Sequence, residues 1–279
     1  MYRNLFVDVL NKSPQEVDAK IDRAWHSLFE GDDSTERVFY PVGDGTAYVK
    51  DIANNDVRTE GMSYGMMIAV QRNRRAEFDM LWRWARAHMY QPSGPLRGYY
   101  AWHCSDAGWK LAPNPASDGE QWFAMALFFA AGRWGRTGDI DYRAEAQTLL
   151  DTMLHNGDPH KFVTSMFNPE NKQIVFVPGG FEASFTDPSY HLPAWYELWA
   201  RWAARDNDFW RAAAAASRAF WQTAANPVTG LMPDYARFDG SATGGSGHDR
   251  FAFDAWRAAA NAAVDCVKVR SVPSCTSTS

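Results

Sequence analysis

Apolar positions along this chain recur mostly with the three-and-four spacing of a helix face. With the cap residues they predict about eight helices, at roughly 14 to 29, 60 to 74, 77 to 89, 118 to 134, 139 to 155, 188 to 205, 208 to 224 and 251 to 265. Runs with the alternating period of strands are sparse. The connections near 75, at 135 to 138 and at 206 to 207 are only a few residues long, so the helices they join are expected to be antiparallel neighbours. The remaining connections, roughly 30 to 59, 90 to 117, 156 to 187 and 225 to 250, are long and hold most of the Gly and Pro. Long loops of this kind commonly carry function.

Short and long connections alternate, which has a geometric consequence. In an up-down array of helices every long loop lies at the same end. Each of the four helices fed by a long loop has an acid at its start: Glu60 in "RTEGMSYG", Asp118 in "PASDGEQWF", Asp187 in "FTDPSYHLPAWY" and Asp254 in "RFAFDAWR". Their separations of 58, 69 and 67 residues read as a weak internal repeat of a helical-hairpin unit. Acids also favour helix N-termini for ordinary reasons, because the first N–H groups are unpaired and the dipole is positive there. Asp187, placed before Pro188, fits that role as an N-cap. Four acids, each beside a long aromatic-bearing loop, point beyond capping.

Carboxyl groups converging at one end of a helical array suit general acid and base work on a glycosidic bond. One protonated carboxyl gives its proton to the leaving oxygen, and one ionised carboxylate activates water on the opposite face. Met62, Tyr64, Met66 and Met67 surround Glu60 in sequence and are expected to desolvate it, favouring its protonated form. Arg250 and Arg257 flank Asp254 at helical spacing and are expected to hold it ionised. Glu60 is thus the expected acid and Asp254 the expected base. With water activated on the face opposite the leaving group, two such carboxyls need about 6.5 to 9.5 Å between them.

Composition changes the picture in one respect. The chain of 279 residues is 46% hydrophobic and 22% charged, enough for one large core, but its 13 Trp, 17 Phe and 11 Tyr make it unusually aromatic. A sugar-stacking surface and a Trp-rich core both account for that excess. Net charge of −5 with a pI near 5.8, and no Lys/Arg run, argue against nucleic acid as a partner. No stretch approaches the ~20 apolar residues of a membrane span, and the opening "MYRNLFVDVL" is interrupted by Arg3 and Asp8, so a cytoplasmic protein is expected. Cys104, Cys266 and Cys275 show no framework spacing, which suits a reducing compartment.

The segments "TEGMSYGMMIAVQ", "PASDGEQWFAMALFFA", "TDPSYHLPAWYELWA" and "RFAFDAWR" together resemble glycoside hydrolase family 8 over roughly residues 1 to 265, most like its branch of reducing-end xylose-releasing exo-oligoxylanases. The resemblance implies an all-α fold, an (α/α)6 barrel, an inverting mechanism, a xylo-oligosaccharide substrate and neither cofactor nor metal. It implies that Glu60 is the general acid, Asp254 the general base, and Asp118 a contact to the sugar at the cleavage point. Tyr190 matches a tyrosine near the catalytic water. Trp102, Trp109 and Tyr100, in the loop before Asp118, are candidates for stacking on xylose rings or for plain packing. Tyr64 and Arg257 complete the set of expected substrate contacts.

An (α/α)6 barrel has twelve helices against the eight expected here, and no Trp follows Trp256. Residues 1–265 are therefore expected to form a C-terminally truncated barrel, with 266–279 as a disordered tail outside the family pattern. Another family 8 activity, endo-xylanase or endo-glucanase, and an inactive sugar-binding remnant are the alternatives. A magnesium-diphosphate site is weakly suggested by "DDSTE" at 32 to 36, and "HNGDPH" at 155 to 160 offers only two candidate metal ligands. Oligomeric state is not legible.

Overall fold

The computed structural model describes residues 4–158, 160 and 162–268. The chain divides into two compact units, one of residues 1–89 and 103–111, the other of 90–102 and 112–279.

The first unit opens with a short helix α1 (Leu5–Asp8) and the amphipathic α2 (Pro14–Trp25). Ser13 and Glu16 form a reciprocal capping box: Ser13 Oγ accepts the Glu16 N–H at 3.2 Å, while Glu16 Oε2 accepts the Ser13 N–H at 2.9 Å. Five short strands follow where long loops were expected: β1 (Phe39–Pro41), β2 (Ala47–Asp51), β3 (Asp56–Arg58), β4 (His103–Cys104) and β5 (Lys110–Ala112). They form one sheet in chain order, with Phe39 opposite Val49, Lys50 opposite Val57 and Val57 opposite Cys104 in antiparallel register. Strands of two to five residues leave too little alternation to be seen in a sequence.

Strand β3 runs straight into α3 (Thr59–Gln71), which forms a hairpin with α4 (Arg75–Trp84). Glycine lets α3 lie close on the sheet. A Cβ built on Gly65 would meet Val49 Cγ2 at 2.7 Å and Leu81 Cδ1 at 3.1 Å. Met62 and Met66 are buried beneath, and Met62 Sδ accepts the Val49 N–H at 3.2 Å. Trp25 and Phe29 stack at 3.9 Å, and Phe29 stacks in turn on Phe39.

The second unit contains two longer hairpins, α5 (Ser117–Trp134) with α6 (Tyr142–His155) and α7 (Pro193–Trp202) with α8 (Asn207–Ala224), and ends in α9 (Trp256–Lys268). Phe167 packs on the α7–α8 hairpin, its ring edge-on to Tyr196, Phe209 and Trp210 at 5.2 to 5.8 Å. Helix α9 is fastened by charge as well as packing. Arg218 of α8 holds Asp265 with two bonds of 2.8 Å and Glu197 of α7 with a third of the same length.

Eight helices of ten or more residues are present among the described residues, close to their expected positions. Two helix starts lie five residues later than expected, at 193 against 188 and 256 against 251. Residues 188–190 form a separate 3-10 turn before α7, and 253–255 another before α9, because Pro193 and Trp256, not Pro188 and Phe251, open the regular helices. Seven of the 13 Trp are buried, so much of the aromatic excess is core. Tyr100 belongs there too: it is 1% exposed, packed against Tyr90 and Phe123, and closed to a sugar ring. Cys104 is buried and free, while Cys266 is disulfide-bonded, which the cysteine spacing did not suggest. Helix α9 continues past residue 265 to Lys268; the expected disorder of 269–279 lies outside the described residues. No helix among the described residues is long and apolar enough to cross a membrane.

Candidate active site

In the first unit, Glu60 sits in the first turn of α3, directly after β3. The strand is buried and paired on both sides at Val57, which fixes where the helix starts. Glu60 is half-buried, and Thr59 Oγ1 donates to its Oε2 at 3.1 Å. Tyr64, one turn on, is also half-buried, whereas Met62, Met66 and Met67 are buried in the core. The preceding Arg58 is gripped by buried Asp56 through two bonds of 3.0 and 3.1 Å, and His103 Nε2 lies 2.9 Å from the same carboxyl. Trp109, at the β4–β5 turn, is 74% exposed. The neighbouring Gly108 has φ +82°, and a Cβ there would fall 2.0 Å from His88 Nδ1.

In the second unit, the structure brings three of the four predicted acids together. Asp118 is in the first turn of α5, 2% exposed, and Arg257 Nη1 donates to its Oδ2 at 2.7 Å. The other arm of the same guanidinium, Nη2, donates to Asp254 Oδ2 at 2.8 Å. Asp187 caps the 188–190 turn, accepting the Ser189 N–H at 2.7 Å as an N-cap should, but it is also 2% exposed and within electrostatic reach of Arg257. Burial pushes the carboxyls of Asp118 and Asp187 upward, and Arg257 opposes the shift in both. Asp254 differs from them in being well exposed, its side chain 60% accessible.

The 188–190 turn is pinned from three helices. Gln121 of α5 donates to the Tyr190 carbonyl at 3.0 Å, Trp221 of α8 to the Pro188 carbonyl at 2.9 Å, and Asn261 of α9 to the Ser189 carbonyl at 2.7 Å. Tyr190 is thereby held against the Arg257 guanidinium, 5.6 Å from its ring centroid, and it also stacks with Phe176 at 5.5 Å. Trp102, in the same unit, is half-buried, its N–H bonded to the Asn114 carbonyl.

One sequence expectation is corrected. Arg250 is exposed in the turn before α9 and not on the helix, so only Arg257 meets Asp254; the helix starts six residues too late for both. Two residues at this end were missed. Asp234, 2% exposed, accepts the Asp254 N–H through Oδ1 at 3.1 Å, and its Oδ2 lies 2.5 Å from His248 Nδ1. Burial raises the Asp234 carboxyl, with His248 opposing. Both lie in the long 225–250 loop, where only an acid and a histidine among glycines hinted at them.

The family model described as "Glycosyl hydrolases family 8" matches residues 40–268. The chain is 46% identical to the reducing-end xylose-releasing exo-oligoxylanase Rex8A of Paenibacillus barcinonensis over 95% of its own length and 69% of that protein's. It is 45% identical to the reducing end xylose-releasing exo-oligoxylanase of Halalkalibacterium halodurans, over 95% of this chain and 67% of that one. A crystal structure of a reducing end xylose-releasing exo-oligoxylanase superposes with a TM-score of 0.92 at 45% identity, covering 98% of this chain and 71% of the other. The fold is thus all-α, of the (α/α)6-barrel class, with eight long helices among the described residues. On this match and these relatives, the chain belongs to glycoside hydrolase family 8.

Proposed function

We propose that this chain hydrolyses β-1,4-xylosidic bonds in xylo-oligosaccharides with inversion, releasing xylose from the reducing end. Glu60 is the general acid and Asp254 the general base. The observation that carries the reading is the guanidinium of Arg257 shared between buried Asp118 and exposed Asp254, at 2.7 and 2.8 Å.

Each residue then has a task that follows from its surroundings. Arg257 and the Asp234 contact to its N–H fix Asp254 while leaving its carboxylate open to solvent, where an attacking water must be. In its ionised form Asp254 takes the water proton as the water attacks the anomeric carbon. Glu60, at the start of α3 and held by Thr59, gives its proton to the departing glycosidic oxygen. Asp118, Tyr190 and Arg257 contact the sugar at the point of cleavage, and Tyr64, Trp102 and Trp109 contact further xylose units. The names of the relatives supply the substrate and the reducing-end direction; the carboxyl chemistry is read from the residues.

The test is hydrolysis of xylotriose carrying an isotopic label at its reducing end. Label recovered in xylose, with unlabelled xylobiose as co-product, supports the reading. Label recovered in xylobiose, or no hydrolysis, contradicts it.

A further inference from the structure

Asp254 is presented by an uncommon backbone. Phe253, immediately before it, has φ +45°, a left-handed conformation that a bulky side chain adopts only when its surroundings impose it. The surroundings are specific. The Phe253 ring stacks on His248 at 4.5 Å, and His248 stacks on Tyr235 at 4.2 Å with the planes 3° apart. Tyr235 in turn rests on Phe176 and Phe185, at 4.6 and 5.2 Å. Backbone bonds tie the two loop segments together: the Asp234 N–H donates to the Arg250 carbonyl at 3.0 Å and the Tyr235 N–H to the His248 carbonyl at 2.8 Å.

Asp234 stands where these constraints meet. One oxygen accepts the Asp254 N–H and the other fixes the ring on which Phe253 stacks. We infer that Asp234 is a positioning residue for Asp254, and that His248 acts as its brace, together holding the left-handed turn at Phe253 that directs the Asp254 carboxylate. This inference rests on the proposed role of Asp254 as base. Neither residue touches the reacting atoms. Losing either frees the turn to relax, and the carboxylate then samples orientations in which it cannot reach the water.

The experiment compares Asp234→Ala, His248→Ala, their double variant and Asp234→Asn with the unaltered chain, using xylotriose kinetics and the NMR resonance of the Asp254 amide. Asp234→Ala is expected to lower kcat on the order of 100-fold, as for misplacement of a reacting group, with KM nearly unchanged. The Asp254 amide proton is expected to move upfield on losing its carboxylate acceptor. The double variant is expected to be no worse than Asp234→Ala, since the two side chains act as one unit. Asp234→Asn, which keeps an oxygen for the Asp254 N–H, is expected to recover part of kcat, and it serves as the test variant if Asp234→Ala fails to fold. An unmoved amide, an unmoved kcat, or a loss confined to KM overturns the inference. Asp254→Asn separates the two claims: if it retains turnover, the assignment of the base fails, and the amide resonance alone then decides whether Asp234 holds the turn.

Discussion

Arg257 of α9 bonds Asp118 of α5 at 2.7 Å across 139 residues of chain, and both side chains are largely buried. A charged pair in such a place contributes little net stability, but removing one partner leaves an uncompensated buried charge. Arg257→Ala is expected to cost about 3 to 5 kcal/mol, the range for breaking a buried pair. Adding Asp118→Asn to it should restore part of the loss. Denaturant unfolding of the two variants checks this; equal stabilities would show that the buried charge is not the cause.

Glu120 offers a prediction about pH. It is fully buried, its Oε1 accepts the Tyr100 N–H at 2.7 Å, its Oε2 has no partner among the described residues, and burial pushes its carboxyl up from 4.5 to about 8. The folded chain therefore holds a proton there that the unfolded chain has lost. The contribution is neutral below pH about 4.5 and destabilises increasingly as pH rises to about 8, by about 1.4 kcal/mol per unit. Glu120→Gln removes the titration. Melting temperatures at pH 5 and pH 8 should show the stability of the unaltered chain falling relative to the variant; a constant difference would contradict this.

The ion cluster at Arg218 makes a third case. Asp265 is 5% exposed and receives both of its bonds from this one guanidinium. Arg218→Ala is expected to destabilise by about 3 kcal/mol or more. It should also speed amide hydrogen exchange in 256–268, the helix that Asp265 anchors, ahead of the α5–α6 hairpin. Uniform acceleration across both would mean that α9 is not held by this cluster.

How much of this was legible depends on the distance over which each signal acts. Glu60 and Asp118 could be placed because capping and helical period are local. The sheet could not, since its identity lies in pairings such as Val57 with Cys104, far apart in sequence. Asp187 was read correctly as a cap, but a cap's burial depends on what packs over it, here the helices bearing Gln121, Trp221 and Asn261. Arg250 was misplaced because helical spacing was carried back from α9 across residues 250–255, which form an irregular stretch and a 3-10 turn. Asp234 and His248 were missed for a related reason. They reach Asp254 only through that folded loop, at separations with no helical or strand period.

The proposed roles of Glu60 as acid and Asp254 as base entail single-step inversion, and proton NMR of xylotriose during hydrolysis tests this most directly. The new reducing end, on xylobiose, is expected to form first as the α anomer and then equilibrate, and Glu60→Gln and Asp254→Asn are each expected to lower the rate by about 10²-fold to 10⁴-fold. An initial excess of the β anomer, or undiminished turnover in either variant, would contradict it.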